Sequence, residues 1–109
     1  YEGVALNLDE RERLVKDMGD KKLMILRNHG TLATGASCGL AFIAIYFLER
    51  ACSAQIRAMS GGAKLNMPSA EAIATTADQS KTLFQPGIDE LAWPGLLRKL
   101  DRVDTSYKT

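Results

Sequence analysis

Residues 23–35 read Leu23-Met24-Ile25-Leu26-Arg27-Asn28-His29-Gly30-Thr31-Leu32-Ala33-Thr34-Gly35. The apolar run 23–26 is too short for a helix of its own and lies between Lys22 and Arg27, which predicts a strand buried on both faces. Asn28-His29-Gly30 supplies turn chemistry. Thr31 to Thr34 has the threonine content of a second strand, and Gly35 ends it. The stretch therefore predicts an antiparallel hairpin with His29, the chain's only histidine, at its connection.

Working outward, residues 8–18 place Leu14, Val15 and Met18 on one face and charged residues around the rest. Asn7 is a candidate N-cap with Glu10 three residues on, Val4-Ala5-Leu6 forms an extended lead-in, and Gly19 is the left-handed stop. Downstream, Ser37 is a candidate N-cap for a helix over 38–59. Its first half, 38–48, has no charged residue, which predicts a helix buried on most sides. Eleven apolar positions fall short of the roughly 20 needed to cross a bilayer, so no membrane partner is expected. Leu40, Ala44, Phe47, Ala51, Ala54 and Ala58 form one stripe at helical spacing, and Gly61-Gly62 stops the helix. A weaker helix starts near Ser69 and reaches toward Phe84. A last one covers 90–100, with Pro94 acceptable only in its first turn. The tail from Asp101 is polar and expected to fray.

With 109 residues the chain has room for one core. Fourteen basic and 13 acidic side chains nearly cancel, which argues against a nucleic-acid partner, whose affinity depends on neutralising phosphates. Cys38 and Cys52 stand 14 positions apart in one helix, about 21 Å at 1.5 Å per residue. A disulfide needs Cα atoms within about 7 Å, so they cannot pair, and a cytoplasmic location is expected.

A lone histidine in a turn is ordinarily a solvated residue. Here a buried strand would present the ring outward beside a glycine, and imidazole is the commonest zinc ligand. A zinc site needs three or more protein ligands, and no second histidine is available. Glu49, a carboxylate within an apolar helix, reads as an ion-pairing or structural acid before a catalytic one. Gly61-Gly62-Ala63-Lys64 follows a helix and lacks the ending of a phosphate loop.

Leu26-Arg27-Asn28-His29-Gly30, then Thr34-Gly35, then a long helix carrying Leu48-Glu49-Arg50-Ala51-Cys52, resembles the class II aldolase/adducin family of the L-fuculose-phosphate aldolase type. The resemblance is strongest over 4–58. The stretch Ala92-Trp93-Pro94-Gly95-Leu96-Leu97-Arg98-Lys99-Leu100-Asp101-Arg102 is similar to the ends of bacterial members. It implies an α/β fold, α+β-like in detail: an antiparallel β-hairpin flanked by helices, mostly helical, the C-terminal part of a three-layer class II aldolase-type domain. Residues 1–109 would form a single partial domain, with a sheet-and-helix core over 1–60 and a helical extension over 61–109.

For the site, the resemblance implies that His29 is the third ligand of a zinc ion, framed by Asn28 and Gly30, with Glu49 a structural acid. The family's His-x-His pair, catalytic glutamate and phosphate-binding loops lie upstream of this stretch and are not in the sequence. Gly39 and Leu40 occupy positions commonly acidic in the family. The parent would be a metal-dependent lyase cleaving a sugar phosphate through an enediolate stabilised by zinc. The fragment alone would be inactive and a homo-oligomer by self-association. The alternative is a non-catalytic, adducin-like assembly domain.

Overall fold

The computed structural model describes residues 8–83 and 87–108, apart from the side chains of residues 83 and 88. In order, the elements are α1 (Leu8–Met18), β1 (Leu23–Leu26), β2 (Gly30–Ala33), α2 (Cys38–Ser60), α3 (Ala70–Leu83), α4 (Ile88–Asp101) and a 3-10 turn at Ser106–Lys108. The fold is α+β and mostly helical, around one antiparallel two-stranded sheet. The expected lead-in at 4–6, the Asn7 cap and the end of the third helix at Phe84 lie outside the described residues.

α1 ends where the sequence places its stop: Gly19 has φ 54°, and its N–H donates to the Val15 carbonyl at 3.1 Å. Leu14 and Met18 are half-buried, but Val15 remains 65% exposed, so the apolar face is narrower than its sequence pattern. The two strands pair Leu23 with Ala33, Met24 with Leu32, Ile25 with Thr31 and Leu26 with Gly30. Expected burial of β1 on both faces is corrected: Ile25 is 65% exposed, and no residue of the strand is fully buried. Two strands have only one pairing between them, so each leaves its outer edge without a ladder partner among the described residues.

α2 is the spine. Ser37 caps it as expected, its Oγ accepting from the Leu40 N–H at 3.1 Å. Leu40, Ile43 and Ala44 are the buried hydrophobic residues among those described, and they sit where α2 meets the hairpin and α4. The helix is buried on one side only: Phe42, Tyr46 and Phe47 are 42–50% exposed, and Ala51, Ala54 and Ala58 are exposed. Burial on most sides is therefore corrected. By length and composition alone α2, at 23 residues, could cross a membrane. However, Glu49 and Arg50 stand at its midpoint, where a charge costs about 2.5–3.5 kcal/mol in hydrocarbon.

α4 begins at Ile88, earlier than the apolar pattern suggests, which puts Pro94 nearly two turns inside the helix and not in its first turn. The reason is tertiary. Ser37 donates a short hydrogen bond to Asp89 Oδ2, Asp89 Oδ1 accepts from the Gly87 N–H at 3.2 Å, and Trp93 packs on Phe42 with ring centroids 5.6 Å apart. Anchored by these contacts, the helix forms despite the N–H that Pro94 cannot donate. The Ser37 hydroxyl is the largest influence on the Asp89 carboxyl and holds it below its ordinary value; desolvation, next in size, opposes this, and the Gly87 amide adds to the lowering. The tail is not frayed either. Asp101 Oδ1 accepts from Tyr107 Oη at 2.5 Å and lies 2.7 Å from Lys108 Nζ, and Lys108 stands over the Tyr107 ring.

Candidate metal centre

The tip of the hairpin is fixed by its backbone. The His29 N–H donates to the Leu26 carbonyl at 3.1 Å, closing a four-residue turn, and Asn28 sits at its third position with φ 56°. Asparagine is among the few non-glycine residues that adopt this left-handed conformation readily, so Arg27-Asn28 turns the chain without a glycine. At the open end, the Thr34 N–H donates to the Lys22 carbonyl at 2.8 Å. His29 is thus carried on a short loop between two paired strands, and the residue is exposed.

Two contacts lock the hairpin to α2. Thr31 Oγ1 donates to Glu49 Oε1 at 2.6 Å, which makes Glu49 a tie between β2 and the helix. Gly35 passes so close to the helix start that a Cβ there would lie 2.6 Å from the Ala41 nitrogen and 3.1 Å from Leu40 carbons. A Thr31→Val, Glu49→Ala double-mutant cycle is expected to give a coupling of about 0.5–1.5 kcal/mol in urea unfolding, the ordinary range for one hydrogen bond. Zero coupling would show that the pair does not hold the hairpin.

Beside the turn lies a cavity of about 430 Å³ between α1 and β1, lined by Glu10, Leu14, Asp17, Met24, Arg27 and His29, among others. Glu10 is 8% exposed, the one buried charged residue among those described. In the sequence Glu10 reads as the partner of the Asn7 cap, and Asp17 as one of the charged residues around the apolar face of α1. Their placement beside the histidine depends on how α1 folds back over β1, which spacing does not show. The site is not a complete metal centre by itself: among the described residues, no three His, Cys, Asp or Glu side chains come together in a way that could hold an ion. Cys38 and Cys52 are both free, on α2.

Comparison with known proteins agrees with this architecture. Residues 2–56 match the family described as Class II Aldolase and Adducin N-terminal domain, a span that includes α1, the hairpin with His29, and most of α2. The chain belongs to the class II aldolase and adducin family. An aldolase II superfamily protein from Pseudomonas syringae, solved by crystallography, shares its fold over 100% of this chain and 44% of its own, with a TM-score of 0.88 and 45% identity. A Caulobacter vibrioides protein named for aldolase class 2 is 48% identical over 107 residues, 98% of this chain and 42% of that protein. Rat alpha-adducin is 38% identical over 61 residues, 55% of this chain and 8% of its own. The chain therefore spans less than half the length of these relatives.

Proposed function

We propose that this chain is part of a zinc-dependent class II aldolase-type protein and contributes His29 as one of three histidine ligands, the other two coming from residues outside this sequence. The observation that carries the reading is the hairpin tip: an exposed histidine on a closed turn, beside a cavity with two carboxylates and Arg27, in a chain of this family. When bound, the metal supplies Lewis-acid polarisation to an oxygen of the substrate. The substrate class is a sugar phosphate, cleaved by a retro-aldol step or a related reaction through an enediolate. This chain's share of the work is to hold the imidazole. The turn fixes where His29 leaves the sheet, and the Thr31–Glu49 tie and the Gly35 approach fix the sheet on α2. The 109 residues alone do not turn over substrate. They are a partial domain, with core at 1–60 and extension at 61–109, which self-associates in a reducing cytoplasm where both cysteines stay free.

One experiment addresses the metal directly. Calorimetric titration of the purified chain with zinc is expected to show weak binding at best, because one imidazole does not replace three ligands. In the longer protein, His29→Ala is expected to lower both zinc affinity and aldol cleavage at least about a hundred-fold, the upper scale found for groups that merely orient ligands. Unchanged zinc affinity there would remove His29 from the site. The second reading, a non-catalytic assembly domain, is favoured by the 38% identity to alpha-adducin over 61 residues. It predicts that the longer protein, tested in the same assay, neither binds zinc tightly nor cleaves.

A further inference from the structure

α1 turns a polar stripe toward the hairpin. Its residues Glu10, Leu14 and Asp17 recur at helical spacing and line the cavity against β1. Val15 is 65% exposed, whereas Glu10 is only 8% exposed. Taking a carboxylate out of water is costly, so a helix that turns its glutamate inward needs donors to receive it. The cavity wall offers few. Leu14, Met24, Ile25 and Leu26 have no side-chain donor and ionised Asp17 only accepts, which leaves Arg27 and His29. The chain path brings Glu10 to their end of the cavity. Only residues 19–22 separate α1 from β1, so the chain reverses, and the start of α1 comes alongside the far end of β1, where the turn carries His29.

We propose that Glu10 is a positioning residue for the metal site: its buried carboxylate accepts the N–H of the His29 ring nitrogen that faces away from the metal. The inference rests on the zinc reading above and assigns the group that aims its ligand. A neutral imidazole that binds a metal through one nitrogen carries its proton on the other, and the acceptor of that N–H sets both tautomer and ring direction. The turn fixes only the backbone of His29, and rotation about its side-chain bonds leaves the ring several directions to choose from. His29 is exposed as a residue, which leaves one ring nitrogen open to the outside while the other faces the cavity. Arg27 does not displace it, because a carboxylate has two oxygens and receives both donors. Glu10 itself touches neither metal nor substrate.

His29 is the only histidine, so its ring signals need no assignment in the nuclear magnetic resonance spectrum of the isotope-labelled chain. The measurement is made at pH about 8, where an unperturbed imidazole, with a pKa of about 6.5, is neutral. The unmodified chain is expected to show a single tautomer and a ring N–H protected from exchange with water. Glu10→Ala is expected to lose that protection, and Glu10→Gln, whose amide oxygen still accepts, to keep it. In the longer protein, zinc affinity measured by competition with a chelator is expected to fall about ten- to a hundred-fold in Glu10→Ala and less in Glu10→Gln. If Glu10 only caps α1, Glu10→Ala lowers helix content and leaves the ring signal unchanged, which overturns the inference. A ring N–H that exchanges freely in the unmodified chain overturns it too, and that result needs no variant to fold. If His29→Ala lowers zinc affinity and Glu10→Ala does not, the role of Glu10 falls and the zinc reading stands. If His29→Ala leaves zinc affinity unchanged, the zinc reading fails and takes this inference with it.

Discussion

Gly35→Ala is expected to destabilise the chain by about 2–3 kcal/mol, near the top of the range for one methyl forced into a packed site. The added carbon would meet the Ala41 nitrogen at 2.6 Å and Leu40 carbons at 3.1 Å. Two of those three atoms are backbone atoms of the first turn of α2, and they cannot move without disturbing the cap that Ser37 provides. In a chain of this size about 1 kcal/mol corresponds to roughly 4–8 °C, so the midpoint should fall by roughly 8–24 °C. Gly30→Ala is the control, because a Cβ there meets nothing within 4 Å. Thermal unfolding followed by circular dichroism compares the two. Equal midpoints for both variants would mean that the hairpin is not held against α2 as described.

This contact also shows what the sequence reveals and what it does not. The elements themselves were legible: α1, β1 and α2 match the expected limits to within a residue, because periodicity, Ser37 and Gly19 act locally. His29 stood out for the same reason, as a turn residue between two strand patterns. What sequence could not show is how far burial extends. Apolar spacing marks a face that wants cover, but not whether the described residues provide it, so Ile25, Val15 and Phe47 were expected inside and are exposed. Nor does spacing show contacts between distant residues. Nothing local ties Gly39 to the last helix, yet a Cβ there would meet Asp89 Cβ at 2.9 Å and Trp93 Cβ at 3.1 Å. The pairing of Ser37 with Asp89, 52 positions away, moved the start of α4 and carried Pro94 into the helix interior. The cavity carboxylates Glu10 and Asp17 escaped notice in the same way, since nothing local ties them to His29.

Ile43→Ala is expected to cost about 2–4 kcal/mol, the ordinary range for truncating a buried aliphatic side chain. What makes the effect large is the size of the core that must absorb it. Leu40, Ile43 and Ala44 are the buried hydrophobic residues among those described, and Ile43 is 7% exposed. The radius of gyration is 17.4 Å, against about 13 Å for a compact domain of this length. A core this small leaves little surplus over the conformational entropy of ordering the chain. Under the self-association proposed above, part of the stability comes from a second copy and depends on concentration by mass action. The unmodified chain should then unfold at a higher temperature as its concentration rises. Ile43→Ala should be substantially unfolded at low micromolar concentration and regain helicity at a hundred-fold higher concentration. Circular dichroism melts across that range provide the measurement. A midpoint that does not move with concentration in either protein would show that the 109 residues stabilise themselves unaided, and a loss below about 1 kcal/mol would show that Ile43 is not the centre of their core.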